Sequence, residues 1–97
     1  MYTIIYFLEQ VSSYLLGMES NPSLQVATGS VILRERRKRH LTQQALADQA
    51  ALQRVYIVGI EAGKRSASLA VIFALAQAMG MTAAELVRKI QDELAKY

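Results

Sequence analysis

Residues 42–65 read TQQALADQAALQRVYIVGIEAGKR. This stretch predicts two short helices joined by a tight turn. Thr42 is a good N-cap for the first helix, because its hydroxyl can accept a hydrogen bond from one of the backbone N–H groups that a first turn leaves unpaired. Leu46 and Ala50 are four residues apart, which places them on one face of that helix.

The second helix of the stretch begins near Gln53, which is a weaker cap. Leu52 precedes it, and Ile57 and Ile60 are three residues apart, so they share a face that must be buried. Gly63 marks the end, since glycine adopts at little cost the left-handed conformation that commonly closes a helix.

Neither helix is long enough to be stable alone. Isolated helices of this length are marginal in water, so the two must pack against each other and against neighbouring segments. Ala47 suits such packing, because its small side chain lets the second helix approach the backbone of the first. The pattern therefore predicts a helix-turn-helix unit that needs further helices around it.

The stretch resembles the Cro/repressor-type (XRE) family of helix-turn-helix proteins. That family opens its first helix with Thr-Gln, as Thr42-Gln43 does, and closes its second with Glu-x-Gly-Lys, as residues 61–64 do. The similarity runs from residue 29 to residue 86. Outside the stretch it rests on Gly29, Ile32, Arg36, Leu41, Ser68, Leu69, Leu75, Ala76, Ala78, Gly80, Glu85 and Leu86.

The resemblance implies an all-α fold, with a compact five-helix lambda-repressor-like DNA-binding domain over residues 29–86. Residues 1–28 would add an N-terminal apolar segment and a linker, and residues 87–97 would extend the C-terminal helix. A chain of 97 residues with 53% hydrophobic content suffices for one domain with a modest core. The segment from Leu69 to Met79 is expected to be a helix buried over much of its surface.

Apolar residues recur at helical spacing at both ends of the chain. In residues 1–18 this spacing favours a helix, although residues 2–7 are also rich in strand formers. The segment lacks the features of a secretory signal and is too short and polar to span a bilayer. We expect both apolar surfaces to be covered, either by their own domain or by the second subunit of a homodimer. The residues are Ile4, Leu8, Val11, Leu15 and Met18 at the start, and Val87, Ile90, Leu94 and Tyr97 at the end.

Positive charge is concentrated in the middle of the chain. Residues 1–30 carry two acidic residues, residues 31–65 carry eight basic and three acidic residues, and residues 66–97 carry three of each, giving −2, +5 and 0. A basic segment that coincides with the motif suits a polyanion. Cysteine is absent, which excludes a disulfide framework and fits a cytoplasmic protein.

The residues before the motif, from Val31 to His40, have a helical pattern and are strongly basic. Most of the basic side chains there are expected to face water or phosphate. Arg36 is an exception by the resemblance, because the family pairs an arginine at this place with the glutamate corresponding to Glu61. Glu35 departs from the family, which usually has leucine there. The basic residues are Arg34, Arg36, Arg37, Lys38 and Arg39.

The resemblance places the second helix, residues 53–61, in the major groove of double-stranded DNA, with its first residues at the base edges. Arg54 can make a bidentate contact to guanine, worth about 1–3 kcal/mol of discrimination, and Val55 can touch a thymine methyl group. The base-facing residues are expected to be Gln53, Arg54, Val55, Val58 and Gly59. The residues that the resemblance assigns to phosphates are Thr42, Gln43, Lys64 and Arg65.

Three positions depart from what such a unit usually has. Ala51 stands where the family turn has glycine, and a left-handed conformation costs alanine about 1–2 kcal/mol. Gly59 lies where the family often has a long polar side chain, and Val58 is apolar on a face meant for polar contacts. The helix is therefore expected to read few bases directly, with specificity drawn also from DNA shape and from two half-sites bound by a dimer.

These patterns predict a transcriptional regulator, in particular a repressor, that binds double-stranded DNA as a homodimer. No paired carboxylates, metal-ligand cluster or nucleophile pattern indicates an enzyme, a metal site or a cofactor, and the one histidine, His40, lies in a basic run. A second interpretation stays open: an antitoxin or adaptor whose apolar terminal segments bind another protein, with weak or autoregulatory DNA binding.

Overall fold

A computed structural model describes residues 3–5, 8 and 21–97, and every regular element in these residues is a helix. Thr3, Ile4, Ile5 and Leu8 are helical, in agreement with the helix favoured for this segment, and the rest of residues 1–20 lies outside the described residues. The all-α, five-helix fold expected from the sequence is confirmed. The five helices of the main body are α1 Pro22–Lys38, α2 Gln43–Ala50, α3 Arg54–Glu61, α4 Leu69–Ala78 and α5 Ala83–Leu94.

Side-chain caps start four of these five helices. The side-chain oxygens of Asn21, Thr42, Ser68 and Thr82 each accept a hydrogen bond from the backbone N–H three residues on, at 3.0–3.2 Å. Each such cap is worth about 1 kcal/mol. Gln53, in front of α3, makes no capping bond, so α3 depends on its packing more than the other helices do.

α1 begins at Pro22, which is one of the two roles open to Asn21-Pro22, since this pair can either break a preceding helix or open the next one. The linker expected up to residue 28 is helical from Pro22 onward, because Asn21 caps the start and proline, with its φ already fixed near the helical value, occupies the first position. Gly29 therefore lies inside the helix, where it permits a close approach to the end of α3. A Cβ atom at Gly29 would lie 2.9 Å from the carbonyl oxygen of Glu61.

Four helices end with the same reversal of the backbone. After α3, the N–H of Lys64 donates to the carbonyl oxygen of Gly59 at 3.0 Å, and Gly63 takes a φ of 73°. Gly80 does the same after α4, with a φ of 71°. After α1 and α2 the left-handed position is taken by His40 and Ala51, at φ 55° and 56°. Ala51 thus adopts the costly conformation anticipated for it.

The core lies where the five helices meet. α1 packs on α3 and α5, α2 packs on α3 and α4, and α4 packs on α5. Leu52 is half-buried in the turn between α2 and α3. The residues that the motif was expected to bury are all in the core, namely Leu46, Ala47, Ala50, Ile57 and Ile60, joined by Ile32, Leu75 and Leu86.

One face of α4 remains uncovered. Leu69 and Phe73 are four residues apart, share that face, and are 69% and 58% exposed. The prediction that this helix is buried over much of its surface is wrong for these two residues, because α2 and α5 pack only on the opposite side, where Ile72 and Leu75 are buried.

The two apolar surfaces at the chain ends differ. At the C-terminal end Ile90 is buried and Leu94 is half-buried, so half of that surface belongs to the domain core. Val87 and Tyr97 are exposed. At the N-terminal end Ile4 and Leu8 are exposed, and Val11, Leu15 and Met18 lie outside the described residues.

Glu35 is a buried carboxylate between α1 and α5. It accepts hydrogen bonds from Lys38 at 3.0 Å and Arg39 at 3.1 Å, and Lys89 of α5 lies 3.9 Å away. Burial raises the pKa of Glu35, but the bonds from Lys38 and Arg39 outweigh it and the net pKa is lowered. Glu35 is therefore ionised at neutral pH and links α5 to α1 through these ionic contacts. The leucine usual at this position would link the two helices by apolar packing.

We predict that Ala51→Gly stabilises the protein by about 0.5–1 kcal/mol, since glycine removes the left-handed strain but loses more backbone entropy on folding. Urea unfolding at neutral pH measures the change. Ala84→Gly, on the exposed face of α5, is the matched control and should destabilise by up to about 1 kcal/mol. Equal losses of stability in the two variants would contradict the assignment of strain to Ala51.

Candidate nucleic-acid interface

Arg36 and Glu61 form a bidentate ion pair between α1 and the last residue of α3. The Arg36 Nε and NH2 atoms donate to the two carboxylate oxygens of Glu61 at 2.6 and 2.9 Å. The side chains are only 10% and 5% exposed. The hydrogen bonds to Glu61 raise the pKa of Arg36 above its usual value. The two side chains are thus held in one geometry.

The pair also contacts the start of α2, the first helix of the motif. The Gln43 side-chain amide, at the start of α2, donates to Glu61 Oε1 at 3.0 Å, and Arg36 NH1 donates to the Leu41 carbonyl oxygen at 2.8 Å. The ends of α1 and α3 and the start of α2 therefore meet at one carboxylate. Gln43, which the resemblance assigns to a phosphate, uses one of its two amide N–H groups for this contact.

The expected base-facing residues lie on one side of α3. Gln53, Arg54, Val55 and Val58 are exposed, and Gly59 is half-buried. The opposite side carries the buried Ile57 and Ile60. No acidic residue of α3 shares the exposed side, because Glu61 is turned toward Arg36.

Arg65 covers Gly59, and this explains why the glycine is only half-exposed. A Cβ atom at Gly59 would lie 2.9 Å from Cγ and 3.0 Å from Cδ of Arg65. The Arg65 guanidinium carbon lies 5.5 Å from the centre of the Tyr56 ring, within cation–π range. The arginine therefore occupies the space that a long side chain at position 59 would fill.

Tyr56 holds the segment after α3 in place. Its hydroxyl donates to the Ser66 carbonyl oxygen at 2.9 Å, while its ring supports Arg65. Sequence reasoning did not single out Tyr56. The signal available was an aromatic residue in α3 three positions before a glycine, which does not by itself indicate which side chain would stack on it.

The expected phosphate contacts fall into two places. Lys64 and Arg65 are exposed just after α3. Thr42 and Gln43 line an open cleft of about 600 Å³ between the ends of α1, α2 and α3. Thr42 is exposed although its hydroxyl already caps α2. The other residues lining this cleft are Arg36, Arg37, Gln44 and Arg54.

Among residues 3–5, 8 and 21–97 no group of three or more His, Cys, Asp or Glu side chains could hold a metal ion. In that part of the chain no single helix is long and apolar enough to cross a membrane. α4 and α5 reach the necessary length and apolar composition only when they are taken together, and the chain bends by 107° between them.

The profile of the helix-turn-helix family HTH_3 matches residues 32–86. An HTH-type transcriptional regulator, y4dJ of Sinorhizobium fredii, is 34% identical over 59 residues, which cover 61% of this chain and 77% of that protein. The matched region contains α2 and α3 with the whole exposed side of α3 and the Arg36–Glu61 pair.

Two solved structures extend the comparison. The restriction-modification controller protein C.AhdI of Aeromonas hydrophila is 35% identical, with a TM-score of 0.62, covering 64% of this chain and 94% of that one. The controller protein C.Esp1396I, solved as a tetramer with its natural 35 base-pair operator, is 24% identical with a TM-score of 0.68, covering 74% and 95%. At 24% identity, the similarity to C.Esp1396I concerns the fold alone.

We predict that Glu61→Gln destabilises the protein by about 3 kcal/mol, because it leaves the Arg36 guanidinium buried without its counter-charge. Lys38→Gln is the control. Its side chain is 57% exposed and Arg39 still bonds Glu35, so the loss should stay below about 1 kcal/mol. Urea unfolding measures both. Similar losses in the two variants would show that the Arg36–Glu61 pair is no more than a surface ion pair.

Proposed function

The chain belongs to the helix-turn-helix family HTH_3, and from that premise we propose that it regulates transcription by binding specific sequences in double-stranded DNA. The observation that carries the proposal is the exposed side of α3, which bears Arg54 and no carboxylate and is flanked by Lys64 and Arg65. A rigid helix with uncompensated cations around it suits a negatively charged groove.

α3 is the helix that would enter the major groove. Arg54, at its first position, would bond the N7 and O6 atoms of a guanine, while Val55 and Val58 would contact thymine methyl groups. Gln53 would bond a base or phosphate at the helix start, and Gly59 would let the backbone and Arg65 approach the groove. With one arginine and two valines on this side, direct readout covers few base pairs.

The phosphate contacts would surround this helix. Lys64 and Arg65 follow α3, and Thr42 and Gln43 lie at the start of α2, so the two pairs would hold the backbone on either side of the groove. Gln43 would contact a phosphate through the amide N–H that does not bond Glu61. Together these contacts position α3 and give no sequence information directly.

We propose that the protein acts as a homodimer on two half-sites. One unit of this kind makes an interface too small for tight specific binding, and two units one helical turn apart are the usual solution. The exposed apolar residues available for a subunit contact are Ile4, Ile5, Leu8, Leu69, Phe73, Val87 and Tyr97. Repression is the simplest outcome, because a small dimer can block a promoter by occupying it. The protein would do so in the cytoplasm, where that DNA is accessible.

A second function is supported by the same exposed apolar surface. Leu69 and Phe73 on α4, together with Ile4 and Leu8 near the N terminus, could bind another protein, as an antitoxin or adaptor would. DNA binding would then be weak or autoregulatory. In both interpretations the chain works by binding, and no catalytic step is proposed for it.

Selection of preferred sites from random duplex DNA tests the main proposal. We expect an inverted repeat with a guanine in each half-site, and we expect Arg54→Ala to lose about 1–3 kcal/mol of preference at that guanine. Arg88→Ala, on the exposed side of α5, is the control and should select the same sequence. A selection that recovers no shared sequence from the wild-type protein would favour the adaptor function.

A further inference from the structure

The basic run at the end of α1 is mostly used inside the protein. Arg34 donates to Glu93 at 2.8 Å, Arg36 to Glu61 at 2.6 Å, Lys38 to Glu35 at 3.0 Å and Arg39 to Glu35 at 3.1 Å. Four of the five cations are therefore paired with carboxylates of α1, α3 and α5. Most of the run was expected to face water or phosphate, with Arg36 as the exception. The Arg36–Glu61 pair is present, and Arg34 and Lys38 are exposed while also paired with carboxylates.

Arg37 is the exception in this run. It is exposed, and within residues 21–97 its side chain makes no hydrogen bond or ion pair. Its neighbours in the run are held by Glu35, Glu61 and Glu93, and no carboxylate of the described residues lies within ion-pair distance of Arg37. A guanidinium in this position carries its full charge to the surface.

Arg37 also lines the cleft of about 600 Å³ that holds Thr42, Gln43 and Gln44 from α2 and Arg54 from α3. No carboxylate lines this cleft among the described residues, and the nearest acidic side chain on α2, Asp48, is hydrogen-bonded by the Gln44 amide at 2.8 Å. Arg36 faces the cleft as well, but Glu61 neutralises it. The cleft is thus open, polar and cationic, with two uncompensated guanidinium groups, Arg37 and Arg54.

Such a cleft suits a ligand with several acceptor oxygens and a negative charge, because a guanidinium donates two parallel hydrogen bonds to a phosphate. We propose that Arg37 binds a phosphate of the DNA backbone, and that it is the cation of the α1 basic run that does so. This inference rests on the proposed function. Arg37 would hold the strand beside the groove into which Arg54 reaches.

The binding of a duplex at a series of salt concentrations tests this role. One phosphate contact contributes about 0.9 to the slope of log affinity against log salt, so Arg37→Gln should lower that slope by about 0.9 and weaken binding roughly eightfold at 0.1 M salt. The loss should be equal for the selected duplex and for a scrambled one, because a phosphate contact carries no sequence information. Arg37→Lys should restore the slope.

Lys38→Gln is the matched control, since it removes an adjacent, exposed cation of the same helix that is paired with Glu35. It should leave the slope close to the wild-type value, and both variants should melt near the wild-type temperature. An unchanged slope in Arg37→Gln, or an equal fall in Lys38→Gln, would overturn the inference. A wild-type protein that binds neither duplex would instead reject the proposed function.

Discussion

The Arg36–Glu61 pair is the interaction on which the arrangement of the helices depends. α3 has no side-chain cap and only eight residues, so its position must come from tertiary contacts. The carboxylate of its last residue receives Arg36 from α1 and Gln43 from α2. Removing two charges from water is costly, and the cost is offset here by several hydrogen bonds with good geometry. What the pair provides is a fixed angle between α3 and the two helices, α1 and α2, that contact its last residue.

The distribution of positive charge on the surface depends on which cations have a carboxylate partner. Glu35, Glu61 and Glu93 form ion pairs with four cations of the basic run at the end of α1 and join that helix to α3 and α5. Among the described residues, the cations without a carboxylate partner, apart from Arg88 on α5, are Arg37, Arg54, Lys64 and Arg65, and these four lie around α3. A net charge of +3 thus becomes a cationic surface where the motif is, without requiring a strongly basic protein.

Local rules predicted the parts of this structure that depend on neighbours in the chain. The cap at Thr42, the stop at Gly63 and the left-handed Ala51 follow from residue type and position, and the buried residues of α2 and α3 follow from spacing. Spacing indicates which residues share a face but not what covers that face. The exposure of Leu69 and Phe73 could therefore not be predicted. The same holds for Arg65 lying over Gly59 and Tyr56, because the contact depends on how the segment after α3 turns.

The central claim is that α3 and the cations around it form the surface that meets double-stranded DNA. Amide chemical shifts of the full chain, followed as the selected duplex is added, test it most directly. The account predicts that the largest changes fall in residues 42–44, 53–59 and 64–65. Changes confined to α4 and α5, with residues 53–59 unaffected, would contradict it and would place the functional surface on the exposed apolar side of α4.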